Sequence, residues 1–308
     1  MTERARMPSI AALAAAFLSL VAMADVRPAE VTTRPKITGI ASVRLYVSNM
    51  DRSRAFYSDI LKLLPEDRCS AANRSCFLIN PGQHIELEPV PSPAPQNWLA
   101  EIAFATDDVP RMRRYLLTRG VSVGAMSPAW EGQPRFDLHD PEGKAIAFVA
   151  KQLPAEDYPN GSNQVSDSML HAGFVVKDMA KENRFYRDLL GFRLYWYGGF
   201  KDNDIDWYEI QVPNGNNWVE YMLNIPATAD HKELGVQNHF SLGVYTADAA
   251  AVRLRSNGLQ TFDGPEIGRD GKNSLDAYDP DGTRVEVMEF KPARTPCCHK
   301  YSAPHPQP

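Results

Sequence analysis

The feature that most constrains this chain is an internal repeat. Leu45-Tyr46-Val47-Ser48-Asn49-Met50, followed by Phe56-Tyr57, returns 129 residues later as Phe174-Val175-Val176-Lys177-Asp178-Met179, followed by Phe185-Tyr186. A chain that repeats a unit of about 125 residues must satisfy its core twice with one kind of supersecondary block. Each unit also divides, because a strand, a helix and three further short strands can be read twice within it. The helices carry start and stop signals. Asp178 can cap a helix that places Phe185 with Leu189 and Tyr186 with Leu190 on one side, and Gly191 can end it. A second helix spans about Pro110 to Gly120 and a fourth about Asp248 to Gly258. Asp140-Pro141-Glu142-Gly143 and Asp279-Pro280-Asp281-Gly282 are turns before apolar strands. The expectation is an α+β fold of four βαβββ modules, at about 37–90, 97–151, 168–224 and 237–291. Pro89 to Pro95 joins the first two and a polar segment, 152–167, separates the halves.

Four residues in the second half share a pattern of chemistry. His171, Glu220, His239 and Glu286 each sit in a short apolar run that reads as a strand, and two imidazoles with two carboxylates suit one divalent metal ion. Strand parity places Gly173 and Val175 beside His171 and Ser241 with Gly243 beside His239, small neighbours where a packed core would ordinarily place larger side chains. A lone strand His is usually a satisfied core or surface residue, so the argument rests on the four together. Glu289 lies on the opposite strand face from Glu286. Glu209 and His231 read as surface residues, and His84 as structural or exposed.

Arg4 and Arg6 precede an apolar stretch from Ile10 to Met23 that is short for a bilayer span, and Ala22-Met23-Ala24 has the small-x-small form of a cleavage site. Residues 1–24 therefore read as a cleaved export signal, giving a periplasmic or secreted protein; the alternatives are an uncleaved anchor or a start at Met7. Losing Glu3, Arg4 and Arg6 with the leader moves the formal charge from -5 to -6. With no basic run in the mature chain, this argues against nucleic acid and for a small-molecule partner. No membrane association is expected after cleavage, and a monomer or homodimer fits. In an exported protein Cys69 and Cys76 are suited to a disulfide, whereas Cys297-Cys298-His299 lies in a Pro-rich segment, 292–308, that reads as a disordered tail. Asn73-Arg74-Ser75 and Asn160-Gly161-Ser162 are glycosylation sequons.

Paired βαβββ modules, a His on a first strand, the run Phe185-Tyr186-Arg187-Asp188-Leu189-Leu190-Gly191-Phe192, and Asp279-Pro280-Asp281-Gly282 four residues before Glu286 resemble the vicinal oxygen chelate superfamily. That group includes glyoxalase I, extradiol dioxygenases, epimerases and bleomycin-resistance proteins. The resemblance implies two tandem domains, 37–151 and 168–291, each an open barrel whose metal ligands come from the first and last strands of its modules. His171, Glu220, His239 and Glu286 match those positions. The same register gives Ser42, Glu86, Leu99 and Ala147 in the first half, which should then lack metal. It further implies an ion (Ni, Zn, Mn, Co or Fe(II)) chelating two adjacent oxygens of a small substrate. A fourth protein ligand, Glu220, resembles the glyoxalase I pattern, in which Glu220 or Glu286 serves as catalytic base for isomerase or lyase chemistry. Alternatives are an Fe(II) dioxygenase using His171, His239 and Glu286, or a non-enzymatic binder of the resistance type. The extradiol pattern also expects a Tyr where this chain has Asp276, and a His that is missing between Glu266 and Asp276, so aromatic-ring cleavage is disfavoured. Tyr195, Tyr197, Trp207 and Phe240 are candidate pocket walls.

Overall fold

A computed structural model describes residues 1–2, 33–66, 71, 73–128, 132–150 and 163–307. The expected leader, Cys69, the second sequon and most of the inter-half segment lie outside the described residues. Strands β1 (Ile37–Val47), β2 (Leu64–Glu66), β3 (Ser75–Asn80), β4 (Gln83–Pro89), β5 (Leu99–Thr106), β6 (Ser127–Pro128), β7 (Pro134–His139) and β8 (Ala145–Ala150) form one sheet. The second sheet repeats it with β9 (Met169–Val175), β10 (Arg193–Gly198), β11 (Trp207–Gln211), β12 (Trp218–Met222), β13 (His239–Val244), β14 (Asp263–Ile267), β15 (Asn273–Tyr278) and β16 (Arg284–Glu289).

The strand orders, β2-β3-β4-β1-β5-β8-β7-β6 and β10-β11-β12-β9-β13-β16-β15-β14, are the same pattern twice. In each module the first strand runs parallel to the last, and the two first strands pair antiparallel at the centre of each sheet. A parallel return needs a crossover, which the module helix supplies. These helices are α1 (Met50–Ala55, continued by a wide turn over Phe56–Ile60), α2 (Val109–Leu117), α3 (Met179–Asn183, continued over Arg184–Leu189) and, after a short α4 (His231–Gln237), α5 (Ala247–Ser256). Asn49, Asp108, Asp178 and Thr246 cap the four module helices through their side chains. At the far ends of α2, α3 and α5, Gly120, Gly191 and Gly258 adopt positive φ, as C-terminal caps require.

The two halves share one core. Phe104 of β5 meets Tyr186 and Phe192 edge-on at 6.4 and 5.5 Å. Two buried hydrogen bonds cross with matching logic: Tyr57 donates to Asp279 at 3.1 Å, and Tyr186 donates to Asp140 at 3.3 Å. Each aspartate also accepts backbone N–H groups of its own Asp-Pro-x-Gly turn. The first module is thereby tied to the fourth and the second to the third.

The carboxyl-terminal segment differs from expectation. It straps the second sheet instead of hanging loose. Ser302 N–H donates to the Tyr195 carbonyl, the Trp196 indole donates to the His299 carbonyl, and Gln211 donates to the Pro304 carbonyl, at 2.8 to 3.0 Å. Tyr301 packs on Tyr195 at 4.7 Å, and Cys297 and Cys298 form a disulfide with each other. Three aromatic anchors on β10 outweigh the segment's Pro-rich composition. Cys76 is also disulfide-bonded. Among the described residues no helix is long and apolar enough to cross a membrane.

Candidate metal centre

Strand register alone gathers the four sequence-selected residues. Gly173 of β9 lies opposite both Glu220 of β12 and His239 of β13, while Ser241 of β13 lies opposite both His171 of β9 and Glu286 of β16. The four side chains therefore share the concave face of the second sheet. His171 Nε2 stands 3.1 Å from His239 Nε2, 3.3 Å from Glu286 and 3.6 Å from Glu220; His239 Nε2 stands 3.3 Å from Glu220. His171 and His239 are fully buried, and both glutamates nearly so. Gly173 makes the cluster possible, because a Cβ there would fall 2.0 Å from the His239 ring.

Three donors, from His171, His239 and Glu220, lie close enough together to fit one divalent cation, while Glu286 approaches His171 only. Donors about 3 to 3.5 Å apart are what metal–ligand bonds of about 2.0–2.2 Å require around one ion. Burial pushes both imidazoles well below their usual pKa, aided at His239 by the Arg284 charge, so both keep a ring lone pair at neutral pH. Burial, opposed by Arg284 and reinforced by Asp276 and Glu220, pushes Glu286 up to about 8. Buried carboxyls lacking compensation in this way are what a cation would relieve.

The sequence did not single out the shell around these residues. Glu209, expected at the surface, is 1% exposed, its Oε2 has no hydrogen-bond partner, and burial raises its pKa well above the ordinary value. Arg284 donates to the His239 ring at 2.8 Å and approaches Asp276 at 3.5 Å. Lys272 is fully buried with its ammonium 4.1 Å from the Trp218 ring, close to Tyr195 and Tyr301. Asp270 accepts from Tyr301. Buried cations run against ordinary burial preference, and nothing in their local sequence marks them.

A cavity of about 370 Å³ opens onto this cluster. Glu220, Glu286 and Arg284 lie at its floor, with Trp196, Trp207 and Met288 among its apolar walls. Of the four expected wall aromatics only Trp207 lines it. Tyr195 is buried under the strap and bonds His305, Tyr197 stacks on His299 at 3.6 Å, and Phe240 belongs to the core. His231 is exposed, beside Trp98. His84 is buried 3.4 Å from Glu86, and Glu289 accepts the Ala247 N–H at the start of α5, away from the cluster.

In the first half, strand register replaces one expected position. Arg44 of β1, the counterpart of Gly173, lies opposite Glu86 and Glu101, so the counterpart of His239 is Glu101 and not Leu99. Ala147 lies opposite Ala103, as Glu286 lies opposite Ser241. The set is Ser42, Glu86, Glu101 and Ala147.

The sequence profile of the Glyoxalase/Bleomycin resistance protein/Dioxygenase superfamily matches residues 39–148 and again 168–287. The chain belongs to this superfamily. Solved structures with the same fold include homoprotocatechuate 2,3-dioxygenase from Arthrobacter globiformis, at 16% identity and TM-score 0.65, covering 85% of this chain and 82% of that one. Another is homoprotocatechuate 2,3-dioxygenase from Brevibacterium fuscum in an anaerobic complex with 3,4-dihydroxyphenylacetate, at 17% identity and TM-score 0.61, covering 85% and 83%. No curated protein matches the chain.

Proposed function

We propose that this protein is a divalent-metal-dependent enzyme acting on a small substrate with two adjacent oxygens, and that Fe(II)-dependent dioxygenation is its first reading. The observation that carries the metal reading is the convergence of His171, His239 and Glu220, with Glu286 beside His171, next to a cavity lined by Glu220, Glu286, Trp196 and Trp207. The order of the two chemistries comes from likeness: the ring-cleaving dioxygenases share the whole tandem arrangement across 85% of the chain. That reverses the order expected from the fourth ligand, Glu220, and from the missing His and Tyr of the extradiol pattern.

His171 and His239, neutral through burial, would hold the ion together with Glu286, Glu220 or both. When bound, such an ion supplies Lewis-acid chelation of vicinal oxygens and, as iron, access to oxygen chemistry. The chain's own groups do the rest. Trp196, Trp207 and Met288 exclude water from one side of the cavity, while Arg284 offers a fixed positive charge beside the chelated oxygens. Asp276, half-buried and held by Arg284, occupies the place where the ring-cleaving pattern has a Tyr, so any proton delivery there would pass through carboxyl groups.

One observation favours a second reading, proton-transfer isomerase or lyase chemistry. Glu220 lies within 3.3 Å of His239, close enough to be a fourth ligand and to serve as base. Oxygen uptake by Fe(II)-loaded protein in the presence of 3,4-dihydroxyphenylacetate and related catechols tests the first reading. Uptake that survives Glu220→Gln but not His171→Ala supports it. Solvent-deuterium incorporation without oxygen uptake, abolished by Glu220→Gln, would replace it with the second. The reading of residues 1–24 as an export signal is part of the proposal, and the disulfides at Cys76 and Cys297–Cys298 support an oxidising compartment. Amino-terminal sequencing of the mature protein checks it: a chain beginning near Asp25 is expected.

A further inference from the structure

The first half places a cluster of buried carboxylates on the same face and at the same strand positions as the metal cluster of the second. Glu86 stands where Glu220 does and Glu101 where His239 does, each opposite the residue that replaces Gly173. That residue is Arg44. Its guanidinium is 2.6 Å from Glu101 Oε2, 3.3 Å from Glu88 and 4.0 Å from Glu86. Arg44, Glu86 and Glu101 are all largely or fully buried. His84, on the same face as Glu86 two residues along β4, lies 3.4 Å from that carboxylate.

We propose that the amino-terminal half keeps a cation site homologous to the carboxyl-terminal one, that the Arg44 guanidinium is its permanent cation, and that removing this side chain opens the site to a divalent metal ion bound by His84, Glu86 and Glu101. The comparison with the second half rests on the metal reading given above.

The physical argument is one of charge and space. Two buried carboxylates facing one another across a sheet need a cation between them, and a cation tethered to the chain cannot be lost to chelators or competing ions. Gly173 leaves space that the His239 ring fills. At the matching position Arg44 fills the space and supplies the charge in one side chain. Arg74, at 3.0 Å from Glu86 and nearer to it than Arg44, and Arg135, at 2.8 Å from Glu101, each pair with one of the two carboxylates, whereas Arg44 alone among the described residues reaches both. A planar guanidinium pairs with carboxylates in fixed directions, so a single arginine can bridge strands β4 and β5 through β1. One half is thereby closed to metal and the other left open, which restricts chemistry to a single centre.

The test is made in a His171→Ala background, so that any metal bound belongs to the first half. Equilibrium dialysis with Mn(II), Co(II) or Zn(II) should give less than 0.2 equivalents in that background and about one equivalent when Arg44→Gly is added. Adding Glu101→Gln should abolish the gain, and Arg44→Lys in place of glycine should not produce it. Thermal unfolding of the Arg44→Gly protein should shift upward with metal and not with Mg(II) at the same ionic strength. No gain of metal by folded Arg44→Gly protein overturns the proposal. Should the variant not be recovered folded in chelator, refolding from urea with and without the ion decides: recovery only with the ion supports the site, and recovery in neither overturns it. Metal in the protein that retains His171 reports on the carboxyl-terminal reading separately, so the failure of one is distinguishable from the failure of the other.

Discussion

Gly173→Ala is the sharpest perturbation of the candidate centre, because it replaces no proposed ligand. The glycine has no positive φ, so it is needed for space and not for backbone conformation. An added Cβ would lie 2.0 Å from His239 Cε1, 2.5 Å from Nδ1 and 2.8 Å from Nε2, where ordinary contact begins at 3.4 Å. The ring must therefore retreat by about 1.4 Å at its closest atom. It is hemmed in by His171 at 3.1 Å and Arg284 at 2.8 Å, so the retreat is not free. Overpacking of this kind costs about 1–3 kcal/mol of stability. At ~2–4 °C per kcal/mol for a chain of this size, the metal-free protein should lose about 2–12 °C in Tm. The effect on metal should be larger. Ligand positions tolerate roughly 0.2 Å, and disturbing even a supporting partner costs about 10–100-fold in affinity, so displacing His239 itself should weaken binding by ~100-fold or more. Chelator competition measures the metal Kd, and differential scanning calorimetry with and without the ion measures the rest. A metal Kd within threefold of wild type would refute the assignment of His239 as a ligand in this register.

Three further outcomes are expected. Glu182 is buried, its Oε2 has no hydrogen-bond partner, and burial together with the Asp140 and Glu142 charges pushes it up to about 8. Its folded pKa exceeds the unfolded value, so the wild type should lose stability as pH rises from about 4.5 to 8. Glu182→Gln should flatten that loss and gain about 1–3 kcal/mol at pH 8.5, discounted for screening; equal urea midpoints for the two proteins at pH 8.5 would count against it. Tyr57→Phe and Tyr186→Phe each remove one buried bond between halves and leave an aspartate short of a donor, so each should cost about 1–3 kcal/mol in urea unfolding. A cost confined to one of the pair would break the symmetry inferred between them. Deleting 292–308 uncovers Tyr195 and Trp196 and removes the bonds they and Gln211 make to the strap; a fall of ~3 kcal/mol or more and a red shift in tryptophan emission are expected, and an unchanged unfolding curve would show the strap to be superficial.

The sequence made the duplicated fold and the four-residue cluster legible because both depend on short-range patterns. Helix caps, Asp-Pro-x-Gly turns and strand alternation recur at fixed offsets, and strand parity then puts the four residues on one face. The error at Leu99 shows the limit. A register irregularity on β5 lets Arg44 and Leu45 face Glu101 and Leu99, so a count along the strand slips by two residues. Counting from the helix caps would have avoided it, since Glu101 and His239 each precede their caps, Asp108 and Thr246, by seven residues. Glu209 was misread for a different reason. A single acidic residue in an alternating strand ordinarily faces water, but the inner face of a curled sheet is polar and enclosed. Lys272, Arg284 and the carboxyl-terminal strap come together only through tertiary contacts, which local composition does not encode.

The contrast between the halves bears on whether the second one needs a metal at all. In the first, Glu86 is buried as deeply as Glu286, yet it behaves in the opposite way. Burial alone would raise it, but His84, Arg74 and Arg44 hold it down at about 2. In the second half Glu286 rises to about 8, and Glu209, Asp270 and Asp276 also rise, each chiefly through burial. Among the described residues Lys272, fully buried, and Arg284, largely buried, are the inner cations opposing these four carboxyls and Glu220, with Arg269 only at the more exposed side of the cavity, so at full ionisation the inner cluster has negative charge in excess by three. A protein can meet such an excess by keeping carboxyls protonated or by binding a cation. The two neutral imidazoles, 3.1 Å apart, can share one N–H···N hydrogen bond without an ion, so the charge excess alone bears on the metal. A divalent ion would offset two of the three charges, with the imidazole lone pairs as ligands. Binding should then release protons from the remaining acids near neutral pH, so calorimetric enthalpies of metal binding should differ between buffers of different ionisation enthalpy. Buffer-independent enthalpies at pH 7 would mean that the cluster is already ionised and that the charge argument for a metal fails.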